Sequence, residues 1–362
     1  MTYGTANIDA IATSSGQILG AGNSTAFKNR IINGAMTVNQ YGGSPISAGL
    51  SSYVIDRWQI YNNTSGAWTG QQSSTAPTGF SNSLLFTVTT PFSMSASYAS
   101  GIWQKIEGYN IADLAWGTAY AKTITMSFWV YSSISGTFSG ALLNSSGGNS
   151  YPFTYTISAT NTWQQITLTI PGATSGTWLT NNGIGIWICF STGCGSNRQG
   201  TPNTWGTSLS FAATGETQLV ATSGATFYIT GIQFEVGSTA TSFDYRDYGR
   251  ELILCQRYYE LISGIAGGYI IFVGQAISGS DVQSGGIFKT SKRAAPSVSA
   301  YGTINANGYN NGGAGSVTIT SSSAGTETWG IRWTGASGLT AGNASGIYPS
   351  NASSGIAFSA EL

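Results

Sequence analysis

The residues that could carry acid–base chemistry in this sequence are few and lie close together. Among 362 residues there are 13 Lys and Arg and 13 Asp and Glu, and eight of these charged residues fall within residues 235–260. Glu235 with Asp244 or Asp247 is the one pairing that could cleave a glycosidic bond. That reaction needs two carboxyl groups about 5 to 9.5 Å apart, one on either side of the bond.

We interpret these carboxylates as structural. Arg246 and Arg250 lie in the same stretch, and we expect them to neutralise the acids in a network of ion pairs. The chain has no histidine, which removes the commonest general base, the commonest zinc ligand and every Ser-His-Asp or Cys-His arrangement. We therefore expect no catalytic residues and no enzymatic activity.

We expect neither a metal nor a cofactor. The acidic residues form no cluster with the ligand spacing of a calcium site. A disulfide between Cys189 and Cys194 is conceivable, because the first ends a strand-like run and the second lies in the glycine turn that follows. Free thiols are the favoured state, and together with Cys255 they fit a reducing compartment.

The composition favours an uncharged partner. Charged residues make up 7 % of the chain, against about 25 % in ordinary proteins. The net charge is zero and there is no basic cluster, so we expect no binding of nucleic acid or anionic membrane. No apolar run approaches the roughly 20 residues of a membrane span, and the N-terminus has no signal-peptide pattern. We expect a protein made in a cytoplasm, with a polar neutral surface suited to glycans.

Alternation of apolar residues with Thr and Ser marks several strands. One apolar and one hydroxylated face is typical of antiparallel sheets packed on one side. With turn clusters between the strands, the pattern predicts an all-β protein built on a jelly-roll β-sandwich. The apolar rows are Leu84, Phe86 and Val88; Ile124, Met126, Phe128 and Val130; Ile166, Leu168 and Ile170; and Ile184, Ile186, Ile188 and Phe190.

The parity of the last predicted strand of this sandwich changes at Gly231. Phe227 and Ile229 are the apolar positions before this glycine, and Ile232 and Phe234 are those after it. A shift of one residue at a glycine predicts a β-bulge.

A short connecting α-helix follows, with a predicted range of 248–259. Asp247 or Asp244 is placed to cap it. Its apolar residues at i, i+3 and i+7 form a narrow stripe that we expect to contribute to assembly. The stripe consists of Leu252, Cys255 and Tyr259.

We predict four segments. Residues 1–27 form an N-terminal arm, 28–246 the jelly roll, 247–262 the connecting helix and 263–362 a smaller C-terminal β-module. The jelly-roll segment opens on a strand-like run at 27–42. The last module is rich in glycine and has a thin core, so copies of the chain are expected to pack together.

Two groups of residues could be ligand sites but are interpreted as structural. Asp56, Arg57 and Trp58 suit an ion pair or hydrogen bonds around a packed tryptophan. Trp329 and Trp333 share one face of a strand and are predicted to lie in the core, although a glycan platform is the alternative.

Several motifs resemble a bacteriophage tail-fibre or receptor-binding protein family. They are the runs at 27–36, 56–58 and 231–241, followed by the Cys-Gln-Arg-Tyr-Tyr run at 255–259 and the ending at 358–362. In that family a carbohydrate-binding-module-like jelly roll precedes a helix with such a run. The resemblance covers the middle of the chain well and the last hundred residues only at their edges.

The resemblance implies a non-enzymatic fibre of the virion that mediates host attachment. It implies a homotrimer whose target is host cell-surface polysaccharide. We expect the arm at residues 1–27 to dock to the phage tail or another virion protein. Two alternatives stay open: a polysaccharide depolymerase tailspike, and a decoration fibre attached to the capsid.

The expected glycan site lies near the end of the chain. Aromatic rings stack on the C–H faces of sugars, and neutral amides pair with the hydroxyls. Tyr309 lies among Asn307 and Asn310 in a glycine-rich loop that begins at Tyr301, and no apolar alternation demands its burial. Trp205 in a loop of the sandwich is the rival site.

Overall fold

Almost all regular structure in this protein is β-strand, which confirms the expected fold class. The computed structural model describes residues 10–12, 18–20, 28–42, 45–47, 51–64, 66–263, 270–308 and 314–362. Two compact units are present, Met1–Glu251 with Leu362, and Leu252–Glu361. In the described ranges there is one α-helix, and it is too short to span a bilayer.

The described residues of the first unit form fifteen strands and four short 3-10 helices. The strands are β1 (Ala10–Ala12), β2 (Ile18–Gly20), β3 (Ser51–Ile55), β4 (Trp58–Asn62), β5 (Ala67–Ser73), β6 (Ser83–Thr90), β7 (Ala99–Glu107), β8 (Ile124–Ser132), β9 (Gly136–Leu143), β10 (Ser150–Ile157), β11 (Gln164–Ile170), β12 (Ile184–Cys194), β13 (Gln199–Gly200), β14 (Ala212–Ala213) and β15 (Thr226–Val236). The 3-10 helices are Gly108–Asn110, Ala112–Leu114, Ser196–Arg198 and Leu219–Ala221.

Two antiparallel sheets form the jelly-roll sandwich that the alternation predicts. The six-stranded sheet has the order β10-β9-β12-β7-β4-β3, and the five-stranded sheet has the order β11-β8-β15-β6-β5. Their apolar faces meet in one core, where the ring centroids of Phe128 in β8 and Phe190 in β12 are 5.0 Å apart. Both rings are fully buried.

The bulge expected at Gly231 is present. The pairing of β15 with β8 shifts register between Thr230 and Gln233, and Gly231 has a φ of 61°. An added Cβ at this glycine would lie 2.6 Å from the Phe80 ring and 3.0 Å from the Trp129 ring. Both the left-handed backbone and the close rings therefore require glycine here.

Residues 28–40 do not form a strand, so the expectation of a strand-like run there is wrong. Two backbone hydrogen bonds join this segment to β15, from the N–H of Arg30 to the carbonyl of Phe234 and from the N–H of Ile232 to the carbonyl of Gly34. Buried amide side chains supply further hydrogen bonds. Asn29 Oδ1 accepts a hydrogen bond from the N–H of Phe234 at 3.0 Å. The carbonyl of Asn33 accepts one from the indole N–H of Trp58 at 2.9 Å. Side-chain hydrogen bonds of this kind replace a β-ladder locally.

Asp56, Arg57 and Trp58 lie at the turn between β3 and β4. The Asp56 carboxyl accepts hydrogen bonds from the main chain and the side chain of Gln40, both at 2.5 Å. Arg57 has a φ of 69° and donates to the main-chain carbonyl of Lys105 at 2.6 Å. Trp58 is fully buried. All three side chains thus have partners inside the protein.

The helix α1 spans Tyr248–Gln256 and is shorter than expected. Asp247 caps it, because its Oδ1 accepts from the N–H of Arg250 at 2.9 Å. Tyr259 is not on the helix: it begins the next strand and pairs with Ser359. The predicted stripe is therefore wrong in its extent, since strand pairing ends the helix before its third member. Of the other two, Cys255 is buried and Leu252 is half-buried.

The second unit is a closed six-stranded barrel with a three-stranded sheet, in the orders β17-β18-β22-β21-β20-β23 and β16-β24-β19. Trp329 and Trp333 are buried in its core, as predicted. Its strands are β16 (Tyr259–Ser263), β17 (Phe272–Ala276), β18 (Asp281–Ile287), β19 (Ser297–Tyr301), β20 (Ile304–Gly308), β21 (Ala314–Ala324), β22 (Thr328–Thr334), β23 (Ala344–Pro349) and β24 (Gly355–Ser359).

A buried ion pair in the second unit joins the end of α1 to β16. The Lys292 ammonium donates to Glu260 Oε2 and to the carbonyl of Gln256, both at 2.5 Å, and it lies 4.6 Å from the Phe288 ring centroid. The Lys292 and Glu260 side chains are 0 % and 2 % exposed. The carbonyl of Gln256 is one of the groups that a helix leaves without an internal partner at its C-terminus.

We expect Lys292→Met to reduce the free energy of unfolding by about 3–5 kcal/mol, because it leaves the Glu260 carboxylate buried without its cation. Lys289→Met, at an exposed position nearby, is the matched control and should change stability by less than about 0.5 kcal/mol. Urea denaturation measures both. Adding Glu260→Gln to Lys292→Met should recover part of the loss; equal stability of Lys292→Met and the wild type would contradict this role.

Burial raises the pKa of two carboxyl groups in the first unit. The pKa of Asp56 rises to about 6 and that of Glu216 to about 7, in both cases mainly because desolvation disfavours the ion. Glu216 accepts hydrogen bonds from Ser139 of β9 at 2.5 Å and Ser191 of β12 at 3.0 Å. Since these pKa values exceed those of the unfolded chain, the stability that they supply is complete below about pH 4. It is lost as the pH rises through 6 and 7.

This linkage predicts that the thermal unfolding midpoint falls as the pH is raised from about 5 to about 8. Glu216→Gln removes one contributing group at nearly constant volume, so its midpoint should fall less over the same interval. Calorimetry of the two proteins across this range measures the slopes. Glu327→Gln, at an exposed carboxylate, should keep the wild-type slope. A Glu216→Gln slope equal to that of the wild type would show that Glu216 does not titrate as described.

Candidate functional site

Large half-exposed side chains form a row across the outer side of the five-stranded sheet. Tyr131 of β8 lies directly opposite Tyr228 of β15, which lies opposite Leu85 of β6, which lies opposite Gln71 of β5. Trp163, directly before β11, contacts Tyr131. We call the set of five the aromatic row, after its three rings. It consists of Trp163, Tyr131, Tyr228, Leu85 and Gln71. At about 4.8 Å per strand, it extends for about 19 Å.

The rings of the aromatic row are tilted against one another rather than stacked in a column. The centroids of Tyr131 and Tyr228 are 5.1 Å apart with the planes at 83°, and those of Trp163 and Tyr131 are 5.6 Å apart at 51°. Burial raises the pKa of the Tyr228 hydroxyl, with the nearby Tyr131 adding to the effect. Among the described residues, neither tyrosine hydroxyl nor the Trp163 N–H has a hydrogen-bond partner, so all three are free to bind a ligand.

The surroundings of the aromatic row are polar and uncharged. A parallel row of half-exposed hydroxyl groups lies two positions away along the same strands. It consists of Thr226, Thr87 and Thr69. The five strands of this sheet contain a single charged residue, the buried Glu235. The arrangement offers apolar ring surface and neutral hydrogen-bonding groups, and it gives an ionic ligand no counter-charge.

The aromatic row was not predicted from the sequence, although the sequence contains a signal for it. Tyr131 and Trp129 follow the parity of Thr125 and Ser127, which is the hydroxylated side of β8. Tyr228 likewise alternates with buried Phe227 and Ile229. Aromatic residues on the polar side of a strand indicate a surface that does more than contact water. The register that joins strands far apart in sequence could not be read from the sequence.

A second aromatic cluster lies on the outer side of the six-stranded sheet but is less open. Tyr61 and Trp103 stack at 4.2 Å with an interplanar angle of 14°, and Phe211 stacks on Trp103 at 4.9 Å. Because these rings cover one another, their faces are not available for a ligand. Trp103 and Phe211 are also almost fully buried, so the cluster serves as a small core that holds the loop around Phe211.

Trp205, the predicted rival glycan site, is packed into the end of the sandwich. Its indole N–H donates to the carbonyl of Pro171 at 2.8 Å. Its ring makes edge contacts with Trp116 at 5.4 Å and Trp178 at 5.6 Å. The ring therefore lacks a free donor and has contacts along its edges, although it remains half-exposed.

The residues of the predicted C-terminal glycan site are only partly described. Tyr309 and Asn310 lie outside the described residues, so their role stays a prediction. Tyr301 ends β19 and lies opposite Gly355 of β24, half-buried. Asn307 lies in β20, and its buried Oδ1 accepts no hydrogen bond from any residue described in the structure.

The charged stretch does not form the expected network around Glu235. The Glu235 carboxylate accepts hydrogen bonds from the N–H and hydroxyl of Thr241, at 2.9 and 2.6 Å, and from the amide of Gln233 at 2.8 Å. Arg246 pairs with Glu251 at 3.3 Å and reaches Asp244 at 3.7 Å. The expectation that Arg246 and Arg250 neutralise Glu235 is wrong, because the loop that covers β15 supplies neutral donors first.

The described part of the chain provides neither a metal site nor a reactive thiol. Within the described ranges, no three His, Cys, Asp or Glu side chains come together as a metal site. Cys189, Cys194 and Cys255 are buried, and none of them forms a disulfide within the described part of the chain. Desolvation raises the pKa of the Cys189 and Cys194 thiols, which keeps both protonated and unreactive.

No protein-family model and no curated protein matches the chain. Three of the solved structures that align with it are a putative sugar-binding protein, a carbohydrate-binding module and a phage tailspike domain. The putative sugar-binding protein of Bacteroides thetaiotaomicron is 10 % identical over 58 % of this chain and 100 % of its own, with a TM-score of 0.35.

The family 11 carbohydrate-binding module of the cellulase Lic26A-Cel5E of Clostridium thermocellum is 12 % identical, over 55 % of this chain and 98 % of its own, with a TM-score of 0.28. The enzymatically active domain of tailspike protein 4 of bacteriophage CBA120 is 13 % identical over 58 % of this chain, with a TM-score of 0.31. This alignment spans only 21 % of the tailspike chain.

Proposed function

We propose that this protein is a non-enzymatic fibre of a bacteriophage virion that attaches to polysaccharide on the host cell through its aromatic row. The observation that carries the proposal is the in-register row of Trp163, Tyr131 and Tyr228 beside a row of threonine hydroxyls. Rings of this kind stack on the C–H faces of a sugar, while the hydroxyls exchange hydrogen bonds with those of the sugar.

The charge pattern distinguishes a glycan from other extended ligands. A nucleic acid or anionic lipid would need lysine or arginine beside the rings, and the strands of this sheet contain neither. A neutral polysaccharide needs only apolar faces and neutral donors and acceptors. The extent of the row, about 19 Å over four strand spacings, suits a chain of several sugars rather than a single one.

The place of the protein in a virion rests on the sequence resemblance. We propose that three copies form the fibre, that the arm at residues 1–27 docks to the tail or another virion protein, and that the fibre has no catalytic role. The Glu235 carboxylate supports this last point, because it is buried and accepts hydrogen bonds from Thr241 and Gln233. It is therefore not free to act as a second carboxyl group beside Asp244.

The proposal predicts the effect of removing single rings. The binding test uses an array of oligosaccharides from the surface polysaccharides of host cells. Tyr228→Ala and Trp163→Ala should each bind at least about tenfold more weakly than the wild type, a loss of about 1.4 kcal/mol of binding free energy. Tyr228→Phe keeps the ring and should lose less. Tyr120→Ala, which removes a ring that is 85 % exposed elsewhere on this unit, should bind like the wild type.

The same proteins separate the alternatives. Unchanged binding by Tyr228→Ala and Trp163→Ala would place the glycan elsewhere, at Trp205 or at Tyr309. Dissociation of the assembly by Tyr228→Ala would identify the row as a subunit interface. Release of reducing sugar from the polysaccharide by the wild type would identify a depolymerase instead.

The oligomeric state is a separate prediction. Because the thin core of the glycine-rich second unit gains from packing between copies, we expect a closed trimer at micromolar concentration. Multi-angle light scattering should then return about three times the chain mass of 37.6 kDa. A mass of one chain, unchanged on concentration, would contradict the trimer.

A further inference from the structure

A small cleft in the first unit lies beside the bulge of β15. Its volume is about 220 Å³, and three rings form one wall: Phe80, Phe243 and Tyr245. The centroid of Phe80 is 5.0 Å from that of Phe243 and 5.6 Å from that of Tyr245. The Tyr245 hydroxyl donates to the carbonyl of Gly79 at 2.9 Å, which fixes the ring while leaving it 61 % exposed.

The cleft continues the aromatic surface of the sheet. Trp129 lies two residues before Tyr131 on the same side of β8, about 7 Å along the strand. The Trp129 and Phe80 rings both lie against Gly231, where an added Cβ would be 3.0 and 2.6 Å from them. Trp129 and Phe80 therefore lie between the aromatic row and the cleft.

The polar groups of the cleft carry a net negative charge. Asp244, Glu251 and Arg246 all line it, so two carboxylates face one guanidinium. Arg246 is engaged by the main chain of Asn29 and Ile31 and by Glu251. The Asp244 side chain is 31 % exposed, and among the described residues its Oδ1 accepts no hydrogen bond.

The size of the cleft limits what it can hold. Pockets for drug-sized ligands span about 300–1,000 Å³, and this one is smaller. Segment 28–37 closes one side, since Asn29, Gly34, Ala35 and Thr37 belong to the lining. The cleft has room for about one sugar ring. On its other side lie the aromatic side chains of the sheet.

From these features we infer that the cleft binds the terminal sugar of the polysaccharide that the aromatic row holds, and that it selects a neutral or amino sugar over a uronic acid. This inference rests on the proposed function. Tyr245 and Phe80 supply the stacking surface, Asp244 Oδ1 accepts a hydrogen bond from a hydroxyl or amino group, and the net charge repels a terminal carboxylate.

The test uses the full chain and an array of oligosaccharides coupled through their reducing ends. Matched members share the inner chain and differ only in a terminal hexose, amino-hexose or hexuronic acid. The wild type should bind the first two at least about tenfold more tightly than the third. Tyr245→Ala and Asp244→Asn should reduce this ratio to about threefold or less, and Asp244→Asn should do so mainly by improving binding of the hexuronic acid.

Two controls separate this site from the aromatic row. Tyr120→Ala removes an exposed ring elsewhere and should keep the wild-type ratio. Tyr245→Phe keeps the ring but loses the hydrogen bond to Gly79, so its ratio should lie between those of the wild type and Tyr245→Ala. Tyr228→Ala should weaken binding to all members alike. If Asp244→Asn unfolds at a lower temperature than the wild type, Tyr245→Ala, at a surface position, decides the question.

The outcomes distinguish the two claims. Two outcomes overturn this inference and leave the proposed function in place. In the first, binding depends on Tyr228 but is the same for all terminal sugars. In the second, both cleft variants keep the wild-type ratio of affinities between the terminal sugars. If no member binds, both claims are wrong. If the cleft variants change binding and Tyr228→Ala does not, the aromatic row is not a glycan site. The cleft then does not bind the terminal sugar of a polysaccharide held by the row.

Discussion

A single glycine determines how the surface of the first unit is arranged. Gly231 adopts a left-handed backbone and shifts the register of β15 by a residue, so Phe227 and Ile229 face the core before it and Ile232 and Phe234 face it after it. The strand therefore exposes Tyr228 on one side of the bulge. On the other side it turns Gln233 and Glu235 toward the loop that carries the cleft. Both proposed sugar contacts depend on this change of parity.

Hydrogen bonds between uncharged groups stabilise this fold at positions where more highly charged proteins use ion pairs. Asn29, Asn33 and Gln104 hold the irregular segment 28–40 against the sandwich, and Gln104 exchanges two hydrogen bonds with the main chain of Ile32. Buried charges are confined to positions with dedicated partners, such as Lys292 with Glu260. A surface built in this way has little affinity for ions and presents many hydroxyl and amide groups, as the proposed ligand requires.

The sequence predicts what periodicity controls. Alternation in β6, β8 and β12 and the parity change at Gly231 correctly indicate a jelly roll with a bulge, because one face of each sheet is buried. Hydrogen bonds from distant side chains are not periodic, so the pattern around Asn33 predicts a strand that does not form. The apolar stripe predicts a helix as far as Tyr259, because the strand pairing of Tyr259 with Ser359 leaves no local signal in the sequence. The aromatic row joins Tyr131 to Tyr228, and only the fold brings them together.

The most direct measurement is the structure of the protein bound to an oligosaccharide selected on the array. The account predicts sugar rings stacked over Tyr228, Tyr131 and Trp163, within hydrogen-bonding distance of the neighbouring threonines, with the surface of the row open to solvent in the assembled protein. Sugar bound only at Trp205 or at Tyr309, or a row covered by a second copy of the chain, would contradict it.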